Sequence, residues 1–114
     1  MKIAIIGSRT IDYINISQYI TKNCDEIISG GAQGIDQLAK EWAETNQIKL
    51  TQVLPEYNKY GRAAPIVRNK IIVDCADEVI AFWDGLSRGT NWVINYCKKI
   101  EKTCTVVRCE HVRK

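Results

Sequence analysis

The sequence predicts an α/β fold in which a five-stranded, mainly parallel sheet is doubly wound, so that helices cover both of its faces in three layers. Short apolar runs alternate along the chain with segments in which apolar residues recur at helical spacing. Strands that are separated by helices need crossover connections, which favours parallel pairing. The 114 residues suit a single domain over 1–114 and leave no room for a second.

In the first half of the chain, the apolar runs are short and rich in β-branched residues, as in buried strands. Asp12 or Asn15 could cap a first helix, because either side chain accepts hydrogen bonds from the N–H groups of a first turn. Pro55 ends the third run, since it lacks the N–H that a sheet needs. We expect strands over 2–6, 26–29 and 50–54 and helices over about 12–23 and 33–44.

In the second half, residues 56–64 show no clear period and are expected to form an ordered loop. Pro65 suits the first turn of a helix, because its φ is already helical and its missing N–H is not needed there. The next strands are expected over 78–83 and 103–107, followed by a polar tail over 110–114. Between those strands, a helix is expected to place on one face Trp92, Val93, Tyr96, Cys97 and Ile100.

Three glycines, Gly30, Gly31 and Gly34, follow the second predicted strand and precede a helical pattern. Glycine has no Cβ to keep a ligand from the backbone, and the N–H groups of a helix's first turn point outward at the positive end of its dipole. Such a junction binds anions, above all phosphates. A tight turn that uses glycine only for its dihedral angles gives the same pattern, so both interpretations stay open here.

Four of the six arginines, Arg9, Arg62, Arg68 and Arg88, fall in loops or helix starts expected at the carboxyl ends of the strands. In doubly wound folds, ligands bind at that edge, where the strand order reverses. A guanidinium offers a planar fork of donors for phosphate or carboxylate oxygens. We therefore predict a pocket for an anionic, phosphorylated ligand, and Arg62 is the first of the four for which we expect a structural or solvated role.

Two carboxylates, Asp36 and Asp84, are expected at the same edge, where either could bind a ribose hydroxyl or the edge of a base. Asp36 could instead favour the dipole of its own helix. Trp83 could stack on a base or pack at the rim of the core. Ser87 and Thr90 offer hydroxyl groups to a phosphate.

Bulk properties narrow the class of protein. A net charge of +3 permits an anionic small molecule but lacks the basic stripe of a dedicated nucleic-acid binder. The five cysteines are odd in number and without CxxC spacing, so they are expected to be buried, reduced thiols. The apolar N-terminal run is too short for a signal peptide and no run reaches transmembrane length, which predicts a cytoplasmic protein without a membrane partner.

Two common nucleotide-binding motifs are missing, the GxxxxGK[ST] P-loop and a GxGxxG after the first strand. The second strand ends in Ser29, where a dinucleotide dehydrogenase has an acidic residue for the ribose, which disfavours that class. The lone His111 has no carboxylate or cysteine pattern near it. We therefore expect neither a metal site nor a cofactor.

Several segments together resemble the SLOG superfamily, especially its small YspA-like (DUF2493) members. The segments are 5–9 (IIGSR), 29–36 (SGGAQGID), 65–69 (PIVRN) and 76–90. The GSR and SGGAxGID segments are also similar to the core of DNA-processing protein A. The resemblance covers nearly the whole chain and implies a Rossmann-like domain that binds nucleotides or nucleotide-derived signals.

Relatives in that superfamily include the Lonely guy (LOG) phosphoribohydrolases, which carry an arginine and then a PGGxGTxxE motif. Arg68 falls at that arginine and Gly89-Thr90 matches the GT, but Val93 stands at the glutamate. General acid-base catalysis needs a titratable group within reach of the substrate. The missing glutamate therefore argues against cleavage of an N-glycosidic bond.

The leading hypothesis is a nucleotide-binding domain that acts as a sensor, a sequestering protein or a carrier, and it leaves a homo-oligomer open. The alternatives are an N-glycosidic hydrolase or transferase that uses Asp84 or Asp36, a single-stranded DNA binder like DNA-processing protein A, and a domain that only binds a protein partner. The predicted ligand-binding residues are Gly7, Ser8, Arg9, Gly30, Gly31, Ala32, Gly34, Asp36, Arg68, Asn69, Trp83, Asp84, Gly85, Ser87, Arg88, Gly89 and Thr90.

Overall fold

The computed structural model describes residues 1–11, 13–21, 23–31 and 34–109 of the chain. Within this part, five strands form one sheet in the order β3-β2-β1-β4-β5, and every pair is parallel. This confirms the predicted α/β, doubly wound, Rossmann-like architecture. The strands are β1 (Lys2–Gly7), β2 (Glu26–Ser29), β3 (Lys49–Gln52), β4 (Glu78–Trp83) and β5 (Cys104–Arg108). The helices are α1 (Ile35–Thr45), α2 (Tyr57–Tyr60), α3 (Ala64–Cys75) and α4 (Arg88–Lys99), with 3₁₀ helices at Ile16–Tyr19 and Gly61–Ala63.

The strand order reverses at β1, in the middle of the sheet. Ile3 lies opposite Ile27 of β2 on one side and opposite Glu78 of β4 on the other. The chain first builds outward from β1 to β3 and then crosses back to add β4 and β5 on the opposite side. The loops that follow β1 and β4 therefore diverge, which opens a crevice at their carboxyl ends.

Both faces of the sheet are covered, because successive side chains of a strand point to opposite faces. Ile3 and Ile5 pack with Phe82 in a core that includes α1 and the first 3₁₀ helix. Ala4 and Ile6 belong to the core on the other face, with residues of α3 and α4. The central strand is thus apolar at nearly every position, as expected for a strand that is buried on both sides.

The helix predicted over about 12–23 is wrong in length, since the described residues there form only the 3₁₀ helix Ile16–Tyr19. Asn15 caps it, because its Oδ1 accepts hydrogen bonds from the Ser17 N–H at 3.3 Å and from the Ser17 hydroxyl at 2.6 Å. Such local side-chain bonds compete with a helical backbone, and the β-branched isoleucines of this segment also disfavour one. The chain is already extended at Ile20, with φ −88° and ψ 127°.

Residues 56–64 were expected to form a loop, but from 57 onward they are helical, because α2 and the second 3₁₀ helix lead directly into α3. Gly61 ends α2 with a φ of +57°, which side chains other than glycine rarely adopt. Two helical pieces separated by this break show no single period in the sequence. Pro65 stands in the first turn of α3, as predicted.

The other element bounds agree with the predictions to within about two residues. β2 and β4 have the predicted bounds, β1 extends to Gly7, β5 lies one residue later, and β3 ends at Gln52. α1 begins at Ile35, after Gly34 with φ +75°. Asp12 as a helix cap, residue 33 as a helix start and the tail over 110–114 lie outside the described residues.

Four of the cysteines are buried or half-buried, as predicted, and one is exposed. Burial raises the pKa of the Cys24, Cys97 and Cys109 thiols and raises that of the half-buried Cys104 to about 12. Cys75, at the end of α3, is exposed, contrary to prediction. α3 also exposes isoleucine side chains. α3 therefore carries apolar residues on its exposed and its buried sides, so the spacing of apolar residues in the sequence does not indicate which side is buried.

The predicted face of α4 is buried at its centre. Val93 and Cys97 are fully buried, and the half-buried Trp92 and Tyr96, whose rings stack 5.1 Å apart, pack against the same core. Ile100 caps the end of the helix and is 38% exposed, so it does not belong to this buried face. Among the helices that the structure describes, none has the length and apolarity needed to cross a bilayer.

Candidate functional site

A cavity of about 480 Å³ opens at the carboxyl edge of the sheet, where the loops after β1, β2 and β4 meet α1 and the first turns of α3 and α4. It lies at the reversal of strand order, the usual ligand-binding position in doubly wound folds. Small-molecule sites commonly measure about 300–1,000 Å³. The residues that line the cavity are Ile6, Gly7, Arg9, Thr10, Gly30, Asp36, Pro65, Arg68, Asn69, Ile72, Asp84, Leu86, Ser87, Gly89 and Thr90.

Close packing of β1 against α1 forms one wall. A Cβ on Gly7 would lie 2.2 Å from Cγ1 of Ile35, so a side chain at this position would collide with the first residue of α1. Gly34 has a φ of +75°, and a Cβ there would lie 3.0 Å from the carbonyl oxygen of Ile11. Both glycines therefore set the position of α1 beside the cavity.

The guanidinium of Arg68 lies across the end of β2. Its Nη1 donates to the carbonyl oxygen of Gly30 at 3.0 Å, and its Nε donates to Oδ1 of Asn69 at 2.8 Å. Burial lowers the pKa of Arg68, the carboxylate of Asp36 raises it, and the charge of Arg9 lowers it. Both hydrogen-bond acceptors are neutral groups, so they orient the guanidinium without neutralising its charge.

Asp84 connects the two loops that flank the crevice. Its Oδ2 accepts a hydrogen bond from the hydroxyl of Thr10 at 2.5 Å, and its Oδ1 accepts the backbone N–H groups of Leu86 at 2.8 Å and Ser87 at 2.7 Å. The Thr10 hydroxyl, followed by these backbone donors, lowers the pKa of Asp84 to about 2 against desolvation, which raises it. The side chain is therefore an anion near neutral pH and already accepts three hydrogen bonds.

Contacts between hydroxyl groups and the backbone also join the loops that follow β1 and β4. Ser8 is buried, and its Oγ accepts the backbone N–H of Asp84 at 3.3 Å and lies 3.4 Å from Oγ1 of Thr90. The hydroxyl of Ser87 donates to the same Oγ1 at 3.4 Å. These contacts fix the start of α4 against the end of β1.

The first turn of α4 lines the cavity at Gly89 and Thr90, and their backbone N–H groups have no acceptor among the described residues. Its first intrahelical bond runs from the Asn91 N–H to the Ser87 carbonyl oxygen at 3.2 Å, so the N–H groups of Arg88, Gly89 and Thr90 precede the helical ladder. A Cβ on Gly89 would meet no heavy atom within 4 Å. The approach to this helix end is therefore open, and its dipole favours an anion.

Asp36 lies in the first turn of α1, where a helix dipole favours a carboxylate. It is only 9% exposed and lines the cavity near Arg68, and its carboxylate raises the pKa of that guanidinium. Its position therefore fits both roles expected from the sequence, which are stabilisation of the α1 dipole and contact with a ligand.

The structure brings most of the predicted binding residues together around one cavity. Those that line it are Gly7, Arg9, Gly30, Asp36, Arg68, Asn69, Asp84, Ser87, Gly89 and Thr90. Those that are described but do not line it are Ser8, Gly31, Gly34, Trp83, Gly85 and Arg88. Ala32 lies outside the described residues. Ligand binding by the whole set remains a prediction.

Trp83 and Arg88 have other surroundings. The indole N–H of Trp83 donates to the carbonyl oxygen of Ser87 at 3.0 Å, and the guanidinium of Arg108 lies 5.8 Å from the centre of the Trp83 ring. Arg88 is exposed at the start of α4. Arg62, in the second 3₁₀ helix, is also exposed and does not line the cavity, in line with the solvated role expected for it.

Five lining residues were not predicted. The apolar ones are Ile6, Pro65, Ile72 and Leu86, and the polar one is Thr10. Ile6, Pro65 and Ile72 belong to a strand or a helix, where an apolar pattern indicates the core, and Leu86 is an exposed loop residue without a pattern of its own. A signal for Thr10 existed, since it belongs to the same loop as Arg9 and carries a hydroxyl group.

Within the described residues, no group of three or more histidine, cysteine or carboxylate side chains could hold a metal ion. No protein-family model, curated protein or solved structure matches the chain.

Proposed function

We propose that this cavity binds a nucleotide or a nucleotide-derived phosphorylated ligand, and that the protein acts as a sensor, a sequestering protein or a carrier of that ligand. The observation that carries the proposal is the half-buried guanidinium of Arg68, which two neutral acceptors hold at the cavity. Burial lowers the pKa of Arg68 more than the carboxylate of Asp36 raises it, so the charge of this guanidinium is only partly compensated, and an anionic ligand would offset the remaining cost.

The other donors of the cavity suit the same anion. Arg9 contributes a second guanidinium, and the first turn of α4 contributes backbone N–H groups at Gly89 and Thr90. Guanidinium forks and helix N-termini are both common phosphate-binding groups in proteins. All of these residues line one cavity, so a single phosphorylated ligand within it would lie among donors of both kinds.

The rest of the lining suits an apolar, partly polar body attached to the phosphate. Ile6, Pro65, Ile72 and Leu86 supply apolar surface, and Asp36 supplies a buried carboxylate. Sites for small molecules are mostly apolar with a few placed polar groups. A nucleoside fits this combination, because its base offers flat apolar faces and its ribose offers hydroxyl groups to a carboxylate.

The state of Asp84 does not favour hydrolysis of an N-glycosidic bond by this side chain. Asp84 is ionised at neutral pH, so it cannot donate a proton as a general acid, and its oxygens already accept bonds from Thr10, Leu86 and Ser87. Val93, which stands where the resembled phosphoribohydrolases carry a glutamate, is fully buried in the core beneath α4. These observations support a binding role over a catalytic one.

The test is to identify small molecules released from the purified protein by mass spectrometry and to measure its melting temperature with a panel of nucleotides and their matched nucleosides. A ligand at about 100 times its dissociation constant should stabilise the fold by about 2.7 kcal/mol. We expect at least one nucleotide to raise the melting temperature and its nucleoside to have little effect. Arg68→Gln, with affinity about tenfold weaker, should lower this stabilisation to about 1.4 kcal/mol and so reduce the shift to about half, and Arg62→Gln, an exposed control, should retain the full shift.

Equal shifts with nucleotides and nucleosides, or no shift with either, would contradict the proposal. Affinity that rises with the length of a single-stranded oligonucleotide and falls steeply with salt would instead favour nucleic-acid binding.

A further inference from the structure

We propose that Gly30 and Asn69 are positioning residues that hold the guanidinium of Arg68 in the orientation in which it receives an anionic group. The inference rests on the proposed function for the nature of the ligand. The orientation itself is a property of the free protein and can be tested without any ligand.

Gly30 provides the space in which the guanidinium lies. A Cβ at this position would be 2.5 Å from Nη1, 3.0 Å from Cζ and 3.3 Å from Nε of Arg68, and no other atoms are as near. The φ of Gly30 lies outside the left-handed region, so its backbone conformation does not require glycine. The reason for glycine here is therefore the close approach of Arg68 to the end of β2.

The same peptide also fixes one end of the guanidinium, because the carbonyl oxygen of Gly30 accepts a hydrogen bond from Nη1. Asn69 fixes the other end through its Oδ1, which accepts from Nε, and its side chain is only 9% exposed. The buried Asn69, adjacent to Arg68 on α3, thus limits the directions that this long side chain can take.

This arrangement leaves the remaining donors for a ligand. A guanidinium has five N–H groups, and the described residues engage one on Nε and one on Nη1. Three N–H groups remain, two on Nη2 and one on Nη1, and one from each nitrogen suits two oxygens of a phosphate or carboxylate. Orientation before binding lowers the ordering cost of binding, so loss of either positioning residue should weaken affinity even though Arg68 is retained.

The first test measures hydrogen exchange of the Arg68 Nε–H with water by NMR in the free protein, with the cross-peak assigned by its loss in Arg68→Gln. In the wild type we expect slow exchange, because Asn69 accepts this N–H. Asn69→Ala should accelerate exchange by about tenfold or more, and Asn69→Asp, which keeps an oxygen acceptor, should restore protection. An unchanged rate in Asn69→Ala would overturn the role of Asn69.

The second test measures affinity by calorimetry with two probes, inorganic pyrophosphate and adenosine 5′-monophosphate. Gly30→Ala displaces only the end of a flexible side chain, so we expect wild-type stability in urea but affinity about tenfold weaker, similar to the loss in Arg68→Gln. In the Arg68→Gln background, Gly30→Ala should cause no further loss. A further tenfold loss in the double variant, or wild-type affinity in Gly30→Ala, would overturn the role of Gly30.

The two proposals can fail separately. If the wild type binds neither probe nor any other nucleotide while Asn69→Ala accelerates the Nε–H exchange of Arg68, the positioning role stands and the proposed function fails. If nucleotides bind but Asn69→Ala leaves the Nε–H exchange rate of Arg68 unchanged and Gly30→Ala leaves the affinity unchanged, the proposed function stands and the positioning role fails.

Discussion

Substitution of Gly89 should separate ligand binding from folding. Gly89 lines the cavity in the first turn of α4, and a Cβ there would meet no heavy atom within 4 Å. Gly89→Ala should therefore leave the free energy of unfolding unchanged or raise it by up to about 0.5–1 kcal/mol, because alanine is the better helix former. Its methyl group would stand beside the free N–H groups at which we expect a phosphate to bind.

The effect on binding should grow with the size of the new side chain. Gly89→Val places a branched Cβ at the same point and should cost more affinity than Gly89→Ala. A hydrogen bond to a charged group contributes about 1.5–3 kcal/mol, which corresponds to a loss of about 10- to 150-fold. Calorimetry with the nucleotide that most raises the melting temperature measures this loss, and urea unfolding measures stability.

Asn95→Ala is the matched control, because Asn95 is exposed on the same helix and does not line the cavity. It should raise helix propensity without changing affinity. A stable Gly89→Val variant with wild-type affinity for the nucleotide would refute the role of this helix end.

Three further predictions concern stability and chemistry. The pKa of Asp84 is lowered from 3.8 to about 2, so its ionised form stabilises the fold above about pH 4 and this contribution is lost as the pH falls toward 2. Asp84→Asn should flatten that dependence in urea unfolding between pH 4 and 2, and an unchanged slope would contradict the assignment. Gly7→Ala should destabilise the fold by about 1–3 kcal/mol through overlap with Ile35, and a melting temperature equal to that of the wild type would argue against such close packing. The wild type should release little or no free base from nucleoside monophosphates, because Val93 cannot transfer a proton as a glutamate does. Such general acid-base catalysis is commonly worth about 10²- to 10⁴-fold in rate. Robust release of free base, measured by chromatography, would establish an enzyme.

The central strands β1 and β4 could be predicted from the sequence because they are buried on both faces. Both contain a continuous run of apolar residues, which indicates a buried strand whatever helices pack around it. The first helix could not be predicted in length, because the competition between helical bonds and the local bonds of Asn15 to Ser17 depends on small energy differences. The helical conformation of residues 57–63 could not be predicted, because the break at Gly61 divides them into two pieces too short to show a helical spacing of apolar residues.

The topology predicted from the sequence indicated which loop residues meet at the edge of the sheet, but not the directions of their side chains. Parallel strands bring the residues that follow them to one edge, which is why Arg9, Gly30 and Asp84 line one cavity. The direction of a side chain in a loop depends on contacts that the sequence does not display. Trp83 is the example, since the direction of its ring follows from a hydrogen bond to the Ser87 carbonyl oxygen and from the nearby Arg108.

The most direct test of the central claim is an amide ¹⁵N–¹H NMR titration of the wild type with nucleoside monophosphates and with the corresponding nucleosides. We predict that a nucleotide shifts the amide signals of Arg9, Gly30, Gly89 and Thr90, which line the cavity, more than signals elsewhere, and that removal of its phosphate largely abolishes these shifts. Shifts that map away from the cavity, equal shifts with the nucleosides, or no shifts with any nucleotide would contradict the claim that this cavity binds a phosphorylated ligand.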